Sequence, residues 1–226
     1  MSQAKITKEI FDFLRALEKN NNREWFNENK KRFTALNNQA KEVFTAVSEQ
    51  MKLHDEIEKL KFFRIYRDVR FSKNKAPYKT NLSASMSRAG ARLRGGYYMH
   101  VQPDNSFIAT GFWNPEKEDL LRIRKELELD ATELREVINE KSFKHVWGEL
   151  AGEELKTAPK GFDKEHPDID LIRKKQFIFV KNFTDKEVMA PDFANVMADS
   201  FQAIRPYFDL MSNILTTNLN GESLID

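Results

Sequence analysis

Tyr97–Trp113, YYMHVQPDNSFIATGFW, is the stretch that decides the fold. Two runs rich in aromatic and β-branched residues, Tyr97–Gln102 and Phe107–Trp113, flank Pro103-Asp104-Asn105. Proline presets one turn φ, and Asp and Asn bond their own backbone, so the stretch is predicted to be an antiparallel hairpin. If Gln102 pairs with Phe107, His100 faces Ala109 and Tyr98 faces Gly111. Small residues opposite polar aromatics would leave room above the sheet for a ligand or another backbone. A slip of one residue would turn every side chain over and remove that space.

Toward the N-terminus, Phe62–Phe71 also alternates. One face carries Phe63, Ile65, Arg67, Val69 and Phe71; the other carries Phe62, Arg64, Tyr66, Asp68 and Arg70. That period predicts a strand with a mainly apolar face and a polar one. A loop with Pro77, a short strand near Leu82–Met86 and a glycine-bearing loop over Arg88–Gly96 lead to the hairpin, and Gln176–Phe183 reads as a last strand. Helical spacing marks the rest. Thr7 precedes Ile10, Phe11, Leu14 and Leu17, and Asn20-Asn21-Asn22 interrupts. An apolar stripe then runs from Trp25 and Phe26, both read as core, to Met51. Asn114-Pro115 opens a helix to about Leu129, Asp130 caps another through Ile138, and Ser142–Leu150 forms a third. Residues 156–170 read as loop, and Asp192–Leu219 as a closing helix kinked at Pro206. The predicted fold is α+β, one domain over residues 1–226. An antiparallel sheet of four or five strands is packed by N-terminal, middle and C-terminal helices.

Composition bounds the function. With 40% hydrophobic and 32% charged residues the chain has the balance of a globular protein. The absence of cysteine excludes disulfides, thiolate metal sites and cysteine nucleophiles, and suits a reducing, cytoplasmic setting. The first residues show helical periodicity rather than a signal sequence, and no run approaches the roughly 18 apolar residues of a membrane span. Charge is uneven. Lys61, Arg64, Arg67, Arg70, Lys73, Lys75, Lys79, Arg88, Arg92 and Arg94 meet one acid, Asp68, within residues 61–94, while the remainder is net acidic. Acidic helices folding back on this run could neutralise it.

Along a straight strand Arg64 and Asp68 lie roughly 13 Å apart and cannot pair. Arg67 falls on the apolar face, where a guanidinium needs a partner, and a helix carboxylate is expected to supply one. Lys73, Lys75 and Lys79 surround Tyr78. Guanidinium and ammonium groups suit phosphate or carboxylate oxygens, and Tyr66 or Tyr78 could stack on a base. The expected ligand site is Arg64, Tyr66, Asp68, Arg70, Lys73, Lys75, Tyr78 and Lys79, with Tyr98 and His100 from the hairpin. Its expected partner is a phosphate-bearing small molecule or nucleic acid; the alternative is a protein-interaction surface for an acidic partner. Catalysis is the other alternative, with His100 as the base to test and no nucleophile assigned. Ser72-Lys73-Asn74-Lys75 matches S-x-x-K but starts no helix, since Pro77 follows. Gly90–Gly95 lacks the strand and helix of a dinucleotide loop. His166 with Asp163, Asp168 and Asp170 is read as surface loop, so neither metal nor cofactor is expected.

The run Phe63–Thr80, FRIYRDVRFSKNKAPYKT, resembles the signature of a family known as domain of unknown function 2461. So do Asn21–Phe26, Gly96-Tyr97-Tyr98, Gly111–Pro115, Pro159–Phe162 and His166-Pro167. Asn74-Lys75-Ala76 stands where the family pattern has Asp-Lys-Thr, which removes a carboxylate from that loop. The resemblance implies a shared fold and a shared site, and supplies no activity.

Overall fold

The computed structural model describes residues 4–225. Helix α1 (Lys8–Lys19) buries Ile10, Phe11, Phe13, Leu14 and Leu17. Thr7 precedes it with an extended backbone but without a capping side-chain bond. The Asn20–Asn22 break reorients the chain, and the Asn22 side chain accepts from the Trp25 amide at 2.9 Å to start α2 (Arg23–Met51). Phe26, Leu36, Ala40, Val43, Phe44, Val47 and Met51 form its buried stripe. Trp25 is half-buried against the same core.

Five strands follow: β1 (Ile57–Phe62), β2 (Leu82–Arg88), β3 (Gly96–Val101), β4 (Ser106–Phe112) and β5 (Phe177–Phe183), antiparallel in the order β1-β2-β3-β4-β5. Before β5 come α3 (Lys117–Leu129), α4 (Thr132–Asn139), α5 (Lys141–Trp147) and the short α6 (Ile169–Ile172). After it come α7 (Asp185–Val188), α8 (Phe193–Gln202) and α9 (Arg205–Thr216). Among the described residues this gives nine helices and one sheet, an α+β architecture.

The first strand corrects the expectation. It ends at Phe62, where the predicted strand Phe62–Phe71 was to begin. Phe62 pairs with Ala84, and Phe63 donates to Ser83 O at 2.9 Å; β2 starts at Leu82, so nothing remains for residues beyond Phe63 to pair with. The chain turns on itself instead. Lys79 N–H donates to Ile65 O at 2.7 Å, Arg67 N–H donates to Pro77 O at 2.9 Å, and Tyr66 bridges Tyr78. In the supposed apolar face only Ile65 is buried, and Phe71 is 97% exposed.

The hairpin forms with a register two residues from the expected one: Tyr98 faces Ala109 and His100 faces Phe107. A two-residue offset preserves the faces. Pro206 occupies the first turn of α9, where its missing N–H costs no hydrogen bond, so the expected kinked helix is instead two helices, α8 and α9. Helix α3 begins at Lys117 after Glu116 rather than at Asn114-Pro115.

One sheet face carries Met86, Tyr97, Met99, Ile108, Phe112 and Phe179 into the core, where Tyr97 meets Phe201 and Phe208, and Phe179 meets Phe143 and Tyr207. Residues paired across strands share a face. The opposite face therefore holds the rows Phe63, Ser83, His100, Phe107, Asn182; Lys61, Ser85, Tyr98, Ala109, Val180; and Lys59, Ser87, Gly96, Gly111, Ile178.

Candidate ligand site on the open sheet face

Tyr98 and His100 are two residues apart on β3, so strand alternation places both on the open face. The Tyr98 hydroxyl lies 3.0 Å from His100 Nδ1, and His100 Nε2 lies 2.9 Å from Gln102 Oε1. With the carboxamide oxygen as acceptor, Nε2 carries the proton and Nδ1 accepts from Tyr98, a neutral imidazole. Gln102 Nε2 donates on to Thr80 Oγ1 at 3.5 Å. The imidazole stacks on Phe107, ring centres 4.6 Å apart. Burial lowers the His100 pKa below its ordinary value, Gln102 opposes that shift, and the Lys79 charge adds to it.

Above these rings is a cleft of about 400 Å³ lined by Tyr98, His100, Phe107, Ala109 and Trp113. A hollow of about 230 Å³ shares Tyr98, Ala109 and Trp113 with it and runs on over Ser85, Gly96 and Gly111. Trp113 is 61% exposed, an aromatic wall at the end of β4. Gly111 has φ 115° and a Cβ there would sit 2.3 Å from Phe177 O. Its smallness is required by the neighbouring strand, while Ala109 leaves the space beneath the rings.

On the β1 side, Phe63 lies 5.9 Å from the Tyr98 ring, with Lys61 Nζ at 5.2 Å and Lys79 Nζ at 5.3 Å from its own centre. Burial, and after it the Arg64 charge, lowers the Lys79 pKa. Among the described residues, no carboxylate stands within ion-pairing distance of Lys61, Arg64, Arg67 or Lys79. The expected helix carboxylate for Arg67 is therefore not there: Arg67 reaches Ser72 Oγ at 3.4 Å and lines a hollow of about 290 Å³ with Glu18, Asn74, Lys79 and Thr80. It remains half-buried because pairing with Pro77 holds its backbone inward.

Other predicted members are otherwise engaged. Tyr78 is 4% exposed and stacked on Phe26 at 4.0 Å, and Asn21 binds its backbone in both directions at 3.0 and 3.1 Å. Its ring face is occupied by the core rather than offered to a ligand. Tyr66 is 47% exposed and meets Phe26 edge-on. Arg70 grips Asp68 through two bonds, at 3.0 and 2.6 Å, the chain having bent where a straight strand was expected. That hydrogen bonding holds the Asp68 pKa low and the Arg70 pKa high. Lys75 Nζ donates to Val69 O at 3.0 Å, and Lys73 is exposed on the same loop. Of the ten residues read from the sequence, the fold gathers Arg64, Lys79, Tyr98 and His100. Tyr66, Asp68, Arg70, Lys73 and Lys75 stay on the outer loop and Tyr78 in the core.

Phe63, Phe107 and Trp113 were not among the predicted site residues, although the two-residue spacing of Phe107 and Trp113 around Ala109 and Gly111 was visible. Also missed was the network around Asp55. Arg88 donates to its carboxylate at 2.7 and 3.2 Å, Tyr97 at 2.5 Å and Arg205 at 3.2 Å, with the Arg88 and Asp55 side chains buried. Together with the Arg94–Asp119 pair, it neutralises the end of the basic run internally. His166 Nε2 bonds Glu128 O and its Nδ1 accepts from Asp168 N, while Asp168 and Asp170 hold Arg135. Among the described residues no group of three or more His, Asp or Glu side chains is placed to hold a metal ion, and no helix is long and apolar enough to cross a membrane.

Neither the curated proteins nor the solved structures contain a significant match to this chain. The model of a family described as a conserved hypothetical protein matches residues 9–210, which spans the α1–α9 framework, the open face and the loop beside it, so the chain belongs to the DUF2461 family.

Proposed function

We propose that the open sheet face binds a phosphate-bearing ligand with a planar ring, of the nucleotide class. One observation carries the reading. Lys61 and Lys79 lie over Phe63 beside the Tyr98 cleft, with the Arg64 charge felt at Lys79 and no carboxylate within ion-pairing distance of the three among the described residues, one ring away from a mostly apolar, aromatic space. Cations without an ion-pairing carboxylate, Lys79 among them partly buried, suit phosphate oxygens, and Tyr98, Phe107 and Trp113 suit a base or sugar ring. A reducing, cytoplasmic setting belongs to the same proposal, supported by the lack of cysteine.

The test is calorimetric titration with AMP at low and physiological salt. Arg64→Ala and Lys79→Ala each remove a charge-assisted contact, expected to weaken binding by roughly 10-fold or more. Lys73→Ala, on the outer loop, should leave binding unchanged. Absence of AMP binding even at low salt would refute the reading. Binding insensitive to adenine, with adenosine and inorganic phosphate failing alike while an acidic peptide binds, would favour a protein-docking face.

A second reading has its own observation. His100 as a neutral imidazole accepts a hydrogen bond from the Tyr98 hydroxyl and has its pKa depressed at the edge of a cleft, which are the attributes of a general base acting through a tyrosine hydroxyl. Turnover of a bound nucleotide that His100→Gln abolishes without loss of affinity would support it.

A further inference from the structure

We infer that the ligand of this face is a single-stranded nucleic acid, with Arg67 holding a phosphodiester beyond the first nucleotide; the inference rests on the nucleotide reading above. Lys79 is the joint. Its ammonium lies over Phe63 on the open face, and the residue also borders the Arg67 hollow of about 290 Å³. A lone nucleotide with its ring in the Tyr98 cleft and its phosphate at Lys79 leaves that hollow empty. A strand that continues past Lys79 fills it.

The hollow is built for one negative charge. Arg67 is half-buried, has a single long bond to Ser72 and has no carboxylate within ion-pairing distance among the described residues. A partly desolvated guanidinium in that state calls for an anion. Glu18 lines the same hollow. Its charge disfavours a dianionic terminal phosphate and tolerates a phosphodiester monoanion, the group found inside a strand. Single-strandedness follows from the other end of the track. From β4 to β1 the face spans three strand spacings, roughly 14 Å, and its rings line a cleft of about 400 Å³ suited to stacking an unpaired base. A duplex keeps its bases stacked and could offer only its backbone.

Fluorescence anisotropy with labelled oligo(U) of two, four and eight nucleotides, a labelled 12-base-pair duplex, and AMP as competitor tests this. Affinity is expected to rise about 10-fold or more from AMP to the tetranucleotide and then to level off, with the duplex binding more weakly. Arg67→Gln should weaken the tetranucleotide by about 10-fold and leave AMP unchanged, and Arg67→Lys should recover most of the loss. Trp113→Ala should weaken both. If AMP binds but the tetranucleotide binds no tighter, or Arg67→Gln changes neither or both equally, the strand inference falls and the nucleotide reading stands. Tighter duplex binding also overturns the inference. If neither AMP nor oligo(U) binds, both fall together.

Discussion

Asp55 shows how much a single residue decides in this protein. Its carboxylate takes two bonds from Arg88, one from Tyr97 and one from Arg205, and burial and that carboxylate together push the Tyr97 pKa well up. Asp55→Asn keeps the shape and removes the charge, leaving buried Arg88 with only the exposed Asp209, 3.8 Å away, as counter-ion. Loss of one partner of a buried pair costs about 3–5 kcal/mol, so the variant should show that loss in urea unfolding. His100 makes a different prediction. Its folded pKa is depressed, so below the ordinary value of about 6.5 the unfolded chain takes up a proton that the folded chain refuses. Stability should fall as pH drops from about 6.5 until the folded imidazole itself titrates, and His100→Gln should flatten that decline in melts taken across the range. The two residues also differ in legibility. Tyr98 and His100 could be placed together because strand alternation is a local rule, and the two-residue register error left it intact. Asp55 and Arg88 are 33 positions apart, and nothing local in either says that they meet. Lys79 reaches Phe63 only because its loop folds back at Tyr66 and Tyr78, which no periodicity announces.

At the scale of elements, the sheet was legible wherever a strand's own pattern agreed with its partner's length. The strands β2 to β5 lie within two residues of their predicted ends, because turn residues and alternation coincide there. The first strand failed for a non-local reason. Ile57–Phe62 reads IEKLKF, with a register irregularity between Ile57 and Lys59 that blurs its alternation, whereas Phe62–Phe71 alternates cleanly. Pairing then selected the blurred segment, since β2 supplies partners only for that one. The β4–β5 contact is equally non-local and has a sharp steric signature at Gly111. A Cβ there would lie 2.3 Å from Phe177 O at φ 115°. Gly111→Ala must therefore strain its own backbone, at about 1–3 kcal/mol, and also push β5 away. Gly90→Ala, at φ 68° with nothing within 4 Å of the new methyl, carries only the strain. Denaturant midpoints of the two variants should separate clearly, with Gly111→Ala the lower, and equal midpoints would mean that β5 yields freely.

Across the whole molecule, charge and core are arranged so that the basic run is divided by its tertiary partners. Its far end, Arg88 and Arg94, is drawn into ion pairs with Asp55 and Asp119 that tie the β2–β3 region to the helices. Its middle forms an outer loop whose charges are spent locally, Arg70 on Asp68 and Lys75 on backbone carbonyls. Its near end, with Lys79 returning from the loop, stands over the open face with no carboxylate within ion-pairing distance among the described residues. The sequence could count these cations but not sort them, since sorting requires the tertiary partners. The division gives a prediction that the raw charge count would not. Replacing Val69–Lys75 by a short Gly-Ser turn deletes Arg70, Lys73 and Lys75 together with Phe71, which is 97% exposed. The loop's stem is held separately, by the Tyr66–Tyr78 bridge, the Tyr78 stack on Phe26 and the Asn21 bonds. Loss of an exposed segment outside such features changes stability by about 0.5 kcal/mol or less, so the melting temperature should move by only about 2 °C. AMP affinity should also be retained, because Arg64, Lys79 and the Tyr98 cleft are all kept. Loss of AMP binding in a variant that melts normally would place the recognising cations on the outer loop and not on the sheet.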